Sequence, residues 1–152
     1  MTTTAPLSGP TRSVESTRFG ALEVPQERVF RFPDPVLGFP GLHEYAVLEN
    51  RSGGPFEWLQ SCELPSLAFI ITNPLLFKPD YRIRVKREEL ASIGLEKPEE
   101  GRVAVILVVP KDPSLMTANL QGPLVFNLQA RLAKQLVLVG DEYTTKYRVF
   151  RE

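Results

Sequence analysis

Apolar positions in this chain recur mostly at a spacing of two, in short runs broken by proline and glycine. LEV (22–24) and RVFRF (28–32) are β-branched and aromatic runs that stop at Pro25 and Pro33. YAVLEN (45–50) ends at the turn sequence Ser52-Gly53-Gly54-Pro55. In FEWLQSC (56–62), Phe56, Trp58, Gln60 and Cys62 alternate with Glu57, Leu59 and Ser61, which predicts a strand buried on its Phe/Trp side. LAFIIT (67–72) runs to Asn73-Pro74, and YRIRV (81–85) predicts a strand with Tyr81, Ile83 and Val85 inward and Arg82 and Arg84 outward. VAVILVV (103–109) is apolar throughout, and KQLVLV (134–139) adds one more strand. Between them MTANLQGPLVFN (116–127) carries Thr117, Asn119 and Gln121 at a spacing of two, meets Gly122-Pro123, and ends apolar. A helical period occurs once, in REELASI (87–93), with Leu90 and Ile93 three apart and Gly94 where a left-handed cap is favoured.

This pattern predicts an all-β fold, a small antiparallel β-barrel-like domain of about ten short strands with one short helix. The 14 prolines fit strand ends, because proline cannot donate to a ladder. Residues 1–16 are rich in Ser, Thr and Pro with almost nothing to bury, which predicts a flexible N-terminal tail. A single domain is expected over 17–143, followed by a basic C-terminal tail over 144–152.

Composition narrows the function. A chain of 152 residues is one domain's worth and folds without disulfide or metal. Lys plus Arg and Asp plus Glu each number 18, a balance that argues against direct nucleic-acid binding or a charged membrane surface. The longest apolar runs fall far short of the roughly 20 residues of a spanning helix, and the first residues lack a basic start and an apolar core. No membrane association and a cytoplasmic location are therefore expected. One Cys (Cys62) and one His (His43) make no metal cluster of the usual spacing. GxSxG, P-loop, GxGxxG and HExxH motifs do not occur. No catalytic residue, metal or cofactor is expected, and the polar row of MTANLQGPLVFN has no nucleophile or base to serve.

Several segments together resemble one family, the FliW-type flagellar assembly factors. They are MTANLQGPLVFN followed by KQLVL, LGFPGLHEYAVLE, PFEWLQSCELPSLAFIITNPLLFKPDY and VVPKDPSLMTANL, in the family's order and approximate spacing. The resemblance runs from about Thr17 to Tyr143. It implies a small β-barrel-like protein without catalytic activity that binds flagellin in the cytoplasm. It also implies antagonism of the RNA-binding translational regulator CsrA by partner switching, through binding away from the RNA surface combined with negative charge. Members of that family tend to be acidic, whereas this chain is neutral and ends KYRVFRE. Repulsion of RNA therefore needs a local acidic patch, for which Glu96, Glu99, Glu100 and Asp112 are candidates acting over about 8 Å at physiological salt.

The partner surface is expected on the loop 37–42 (Leu37, Phe39, Pro40, Leu42), the turn 73–80 (Phe77, Asp80) and the strand 116–121 (Thr117, Asn119, Gln121). Asn119 also fits a residue that caps a turn. Two other functions compete. A small-molecule or carbohydrate-binding β-barrel needs Trp58, Gln60 and Asn119 around one cavity. An OB-like nucleic-acid binder needs exposed aromatics interleaved with basic residues, and in YRIRVKR Tyr81 alternates away from the arginines.

Overall fold

The computed structural model describes residues 9–50 and 53–150. Within them lie eleven strands and one α-helix: β1 (Thr11–Ser16), β2 (Gly20–Pro25), β3 (Val29–Arg31), β4 (Glu44–Glu49), β5 (Glu57–Ser61), β6 (Ala68–Thr72), α1 (Arg87–Ala91), β7 (Arg102–Val108), β8 (Thr117–Ala118), β9 (Leu124–Asn127), β10 (Leu132–Gln135) and β11 (Tyr147–Arg148). Seven of them close a barrel in the order β3-β4-β5-β6-β7-β9-β10. Every barrel ladder is antiparallel except the parallel contact of β10 with β3, which has one register pair, Leu132 with Arg31.

The interior is filled. Phe30, Phe32, Tyr45, Leu59, Ile71, Leu124 and Phe126 are buried there. Phe32 meets Tyr45 edge-on at 5.2 Å, and Phe30 meets Phe126 at 5.0 Å. One end is closed by Phe39 against Phe69, with Leu42 and Leu67. At the other end Glu57, opposite Ile71, accepts from Arg28 at 3.4 Å and from Arg102, which sits opposite Phe126.

A buried hydroxyl with no partner gives a first prediction. Tyr45 Oη is fully enclosed and makes no hydrogen bond among the described residues. An unsatisfied buried hydroxyl costs free energy that phenylalanine avoids. Tyr45→Phe should therefore leave stability unchanged or raise it by about 1 kcal/mol; a fall in thermal midpoint would mean that the hydroxyl is satisfied. Burial pushes Tyr45 up to about 12 and the Cys62 thiol up to about 11, and raises Tyr81 as well. Above pH 9 to 10 the unfolded chain loses protons that the folded chain retains, so stability falls through pH 12. In Tyr45→Phe the share of that loss above pH 10 should be smaller, as a pH series of melts would record.

Two further cores lie outside the barrel. Strand β7 is buried on both faces: Ala104 and Ile106 face the interior, and Val105 and Leu107 face a layer of Tyr81, Leu90, Ile93, Leu120 and Leu136. That is why residues 103–107 are apolar without alternation, whereas Val108 and Val109 beyond them are exposed. Helix α1 supplies Leu90 to this layer and ends as its sequence predicts, with Gly94 at φ +79°. The hairpin β1–β2 covers the outer face of β3 and β4 with Val14 and Val24 against Val29 and Ala46.

Several expectations are corrected. Residues 11–16 form β1 rather than part of a flexible tail. Their alternation carries a single apolar pin, Val14, and the rest is polar pairing: Thr11 Oγ1 and Ser13 Oγ donate to Glu23, and Ser16 Oγ donates to Gln60 Oε1 at 2.8 Å. Residues 1–8 of the expected tail, residue 51, residue 52 of the expected turn, and residues 151–152 lie outside the described residues. The segment 144–152 is not a tail where described, because β11 pairs with β8, and Tyr147 and Val149 pack on the outer core. In FEWLQSC the faces are reversed. Leu59 enters the barrel, while Trp58 lies outside it, edge-on to Phe19 at 5.5 Å and under Arg18. Residues 81–85 have the expected alternation of burial but belong to no strand.

Candidate partner-binding surface

MTANLQGPLVFN is one strand broken in the middle. Its two halves, β8 and β9, pair with the same edge of β7. Between the pairs Leu107–Ala118 and Ala104–Leu124, β7 advances three residues and the other strand six, so three residues are looped out. Asn119 holds this break. Its Oδ1 accepts from Gln121 N at 3.1 Å and Gly122 N at 2.9 Å, while its own N–H continues the ladder to Ile106 O. Gln121 reaches Leu138 O and Gly140 O at 3.4 Å, and Thr117 sits in the ladder opposite Val108 and Arg148. Asn119→Ala should cost about 1–2 kcal/mol by stranding two N–H groups. Asn119→Asp keeps the acceptor and should melt close to the parent; equal losses in both variants would refute this role.

The break also joins two of the expected segments. Gln135 accepts from Leu37 N at 2.9 Å and donates to Gly122 O at 3.1 Å, fixing the loop 37–42 to the turn 119–122. In that loop Leu37 and Pro40 are exposed, whereas Phe39 and Leu42 turn inward to close the barrel. The same strand meets the third segment on its other side, where Tyr81 Oη donates to Leu120 O at 2.6 Å and Phe77 stacks on Tyr147 of β11. Asp80 is exposed and accepts from Lys78 at 3.0 Å, which holds its carboxyl below the usual range. Lys78 Nζ in turn lies over the rings of Tyr143 and Tyr147.

Beside Phe77 opens an apolar groove. Pro55, Phe56, Thr72, Leu76, Phe77, Val149 and Phe150 line a volume of about 540 Å³. Leu76 and Phe150 are 59% and 51% exposed. The turn that presents Leu76 is fixed by Asn73, whose side chain accepts from Leu75 N at 3.0 Å. A half-open groove with exposed aliphatic and aromatic rims and few fixed polar groups suits a protein surface better than a small polar ligand. Sequence reasoning named only Phe77 of this set, although the turn 73–80 it pointed to also contains Leu76. Its other wall lies in the segment read as a tail, although KYRVF alternates Tyr147 and Val149 with Arg148 and Phe150, a strand signal.

The acidic candidates do not pool. Glu96, Glu99 and Glu100 precede β7 and Asp112 follows it, about 20 Å apart at the rise of a seven-residue strand. Glu100 accepts from Glu96 N and Lys97 N, and Asp112 from Ser114 N, so each serves its own turn. Neither competing function gains support from placement. The barrel interior is packed, Trp58 lies outside it, and Asn119 sits in the broken strand. Tyr81 is buried and offers no stacking platform. Among the described residues no group of three or more His, Cys, Asp or Glu is placed to hold a metal, and no helix is long and apolar enough to cross a membrane.

Comparisons with known proteins agree on one family. The family model described as FliW protein matches residues 13–149, a span that includes most of β1 and all of β11. A flagellar assembly factor FliW of Alkaliphilus metalliredigens is 39% identical over 140 residues, covering 91% of this chain and 86% of that protein. The flagellar assembly factor FliW of Bdellovibrio bacteriovorus is 36% identical over 137 residues, covering 90% and 78%. A crystal structure of the flagellar assembly factor FliW superposes with a TM-score of 0.84 at 30% identity, covering 93% of this chain and 99% of that one.

Proposed function

The chain belongs to the FliW family of flagellar assembly factors, and from that membership we propose that it is a non-enzymatic cytoplasmic regulator that binds flagellin and antagonises a CsrA-type RNA-binding regulator by partner switching. The observation that carries this reading is the groove of Phe56, Leu76, Phe77, Val149 and Phe150, which presents apolar and aromatic side chains to solvent. Aromatic anchors of this kind dominate the energetics of protein interfaces. Antagonism is assigned to occupancy of the regulator rather than to charge repulsion. The net charge is zero, and the candidate carboxylates stand at opposite ends of β7.

Calorimetric titration of the purified protein with flagellin and with the CsrA-type protein of the same organism tests this. Saturable binding to each, and displacement of one by the other, is the expected result. No binding to either refutes the proposal, and a stable ternary complex refutes the switch.

A further inference from the structure

Beyond the groove, we propose that the extended segment 136–139 is a docking edge for an extended acidic peptide of a partner, with Arg82 and Arg84 receiving its carboxylates. Past Gln135 the chain stays extended without a full ladder. Leu136 N donates to Pro123 O at 2.8 Å and Leu138 N to Gln121 O at 2.9 Å, so one side of the segment is paired. Alternation along a strand turns the N–H and C=O groups of Val137 and Val139 the other way. Neither of those N–H groups donates to an acceptor among the described residues. The ladder of β10 with β3 has already ended at Leu132 and Arg31, and the chain that follows β3 ties to β10 through Asp34 on Lys134 and Leu37 N on Gln135, short of Val137.

The side chains repeat the message. Leu136 and Leu138 are buried, whereas Val137 is 54% and Val139 93% exposed. Folded proteins usually blunt an edge with proline, charge or a bulge, and LVLV has neither proline nor charge. An unblunted apolar edge fits a site that another strand covers.

Charge identifies the occupant. Arg82 and Arg84 share a shallow depression with Leu138, Val139 and Gly140. Their segment is held in place by the Tyr81 hydroxyl on Leu120 O and by Arg82 N donating to Tyr143 Oη at 3.0 Å. Neither guanidinium forms an ion pair among the described residues, although Glu142 borders the same depression. Two unpaired guanidiniums beside an apolar edge match a strand that alternates carboxylates with apolar side chains. Its main chain bonds to Val137 and Val139, and its carboxylates take the forked donors of the arginines. RNA fits less well, because Tyr81 is buried and Tyr143 packs on it at 4.7 Å, leaving no exposed ring to stack a base. A second copy pairing through the same edge offers LVLV again, whose carboxylates come only after it, at Asp141 and Glu142, and not in alternation with its apolar residues.

Fluorescence anisotropy tests the assignment with three labelled probes: a synthetic peptide alternating Glu with Val, the same peptide with Lys for Glu, and a polyuridine RNA. The Glu peptide should bind saturably and at least about tenfold more tightly than the Lys peptide. Arg82→Glu combined with Arg84→Glu should weaken it by about tenfold, and Val139→Asp should weaken it comparably. All three positions are exposed, so the variants should melt within a few degrees of the parent. Equal binding of the two peptides, or none, overturns the proposal. Arginine-dependent RNA binding without peptide binding assigns the cations to phosphate instead. A dimer in light scattering that Val139→Asp abolishes assigns the edge to a second copy.

Discussion

Gly101→Ala is expected to cost about 3 kcal/mol or more of folding stability, the upper range for overpacking. Gly101 precedes β7 where that strand meets β9 to close the barrel. A Cβ there would lie 2.5 Å from the carbonyl oxygen of Phe126 and 2.9 Å from Leu95 Cδ1. A side-chain end can swing aside, but the Phe126 carbonyl belongs to a buried strand paired on both edges. The backbone conformation of Gly101 is extended, so the glycine is required by space and not by φ. For a domain of this size about 3 kcal/mol corresponds to a fall of roughly 6–12 °C in midpoint. Gly122→Ala makes the informative contrast, since its Cβ would meet not backbone but the side chains of Gln135 and Asn119, at 2.8 and 2.9 Å, whose hydrogen bonds hold the break. If Gly101→Ala melts with the parent, the close approach of β7 to Phe126 is wrong.

The second large effect concerns binding. Leu76→Asp combined with Phe150→Asp should weaken flagellin or CsrA-type binding by about a hundredfold, the scale of losing central interface anchors. Both side chains are more than half exposed on opposite walls of the groove, so thermal stability should change little. Parent-like titration curves for both partners from a folded double variant would remove the groove from the mechanism. Phe77 is less useful as a probe, because its stacking on Tyr147 mixes packing with contact.

What could be read from the sequence follows from how locally each feature is encoded. Most strands and the helix were legible because their period is written into five to seven consecutive residues, as in VAVILVV and REELASI, but YRIRV alternates without joining a strand and KQLVLV leaves the ladder after Gln135. The face of FEWLQSC was not, because both faces are covered, one by the barrel interior and one by the N-terminal hairpin. Alternation says that two faces differ, not which one is inside. The ends of the domain were missed because β1 is held by one valine and several hydroxyl bonds, and β11 has only two residues. The site was partly legible. Leu37 is exposed and Phe77 is half-buried against Tyr147, and Asn119 serves its turn, the structural one of its two readings. The groove draws its walls from near residues 55, 72, 76 and 150, so no local pattern announces it. Gln135, which ties two segments together, looks in sequence like any polar residue in a strand.

The single parallel contact of β3 with β10 has a consequence in time. Arg31 and Leu132 are about a hundred residues apart, and every other barrel ladder joins segments closer in sequence. Loop entropy makes so remote a pairing late in folding. The hairpins of β4 to β7 can form while the chain is still being synthesised, but the seam waits for nearly all of it. Until then the buried face of β3 and the aromatic interior stay open to water, and a newly made chain depends on the speed of that last closure to escape aggregation.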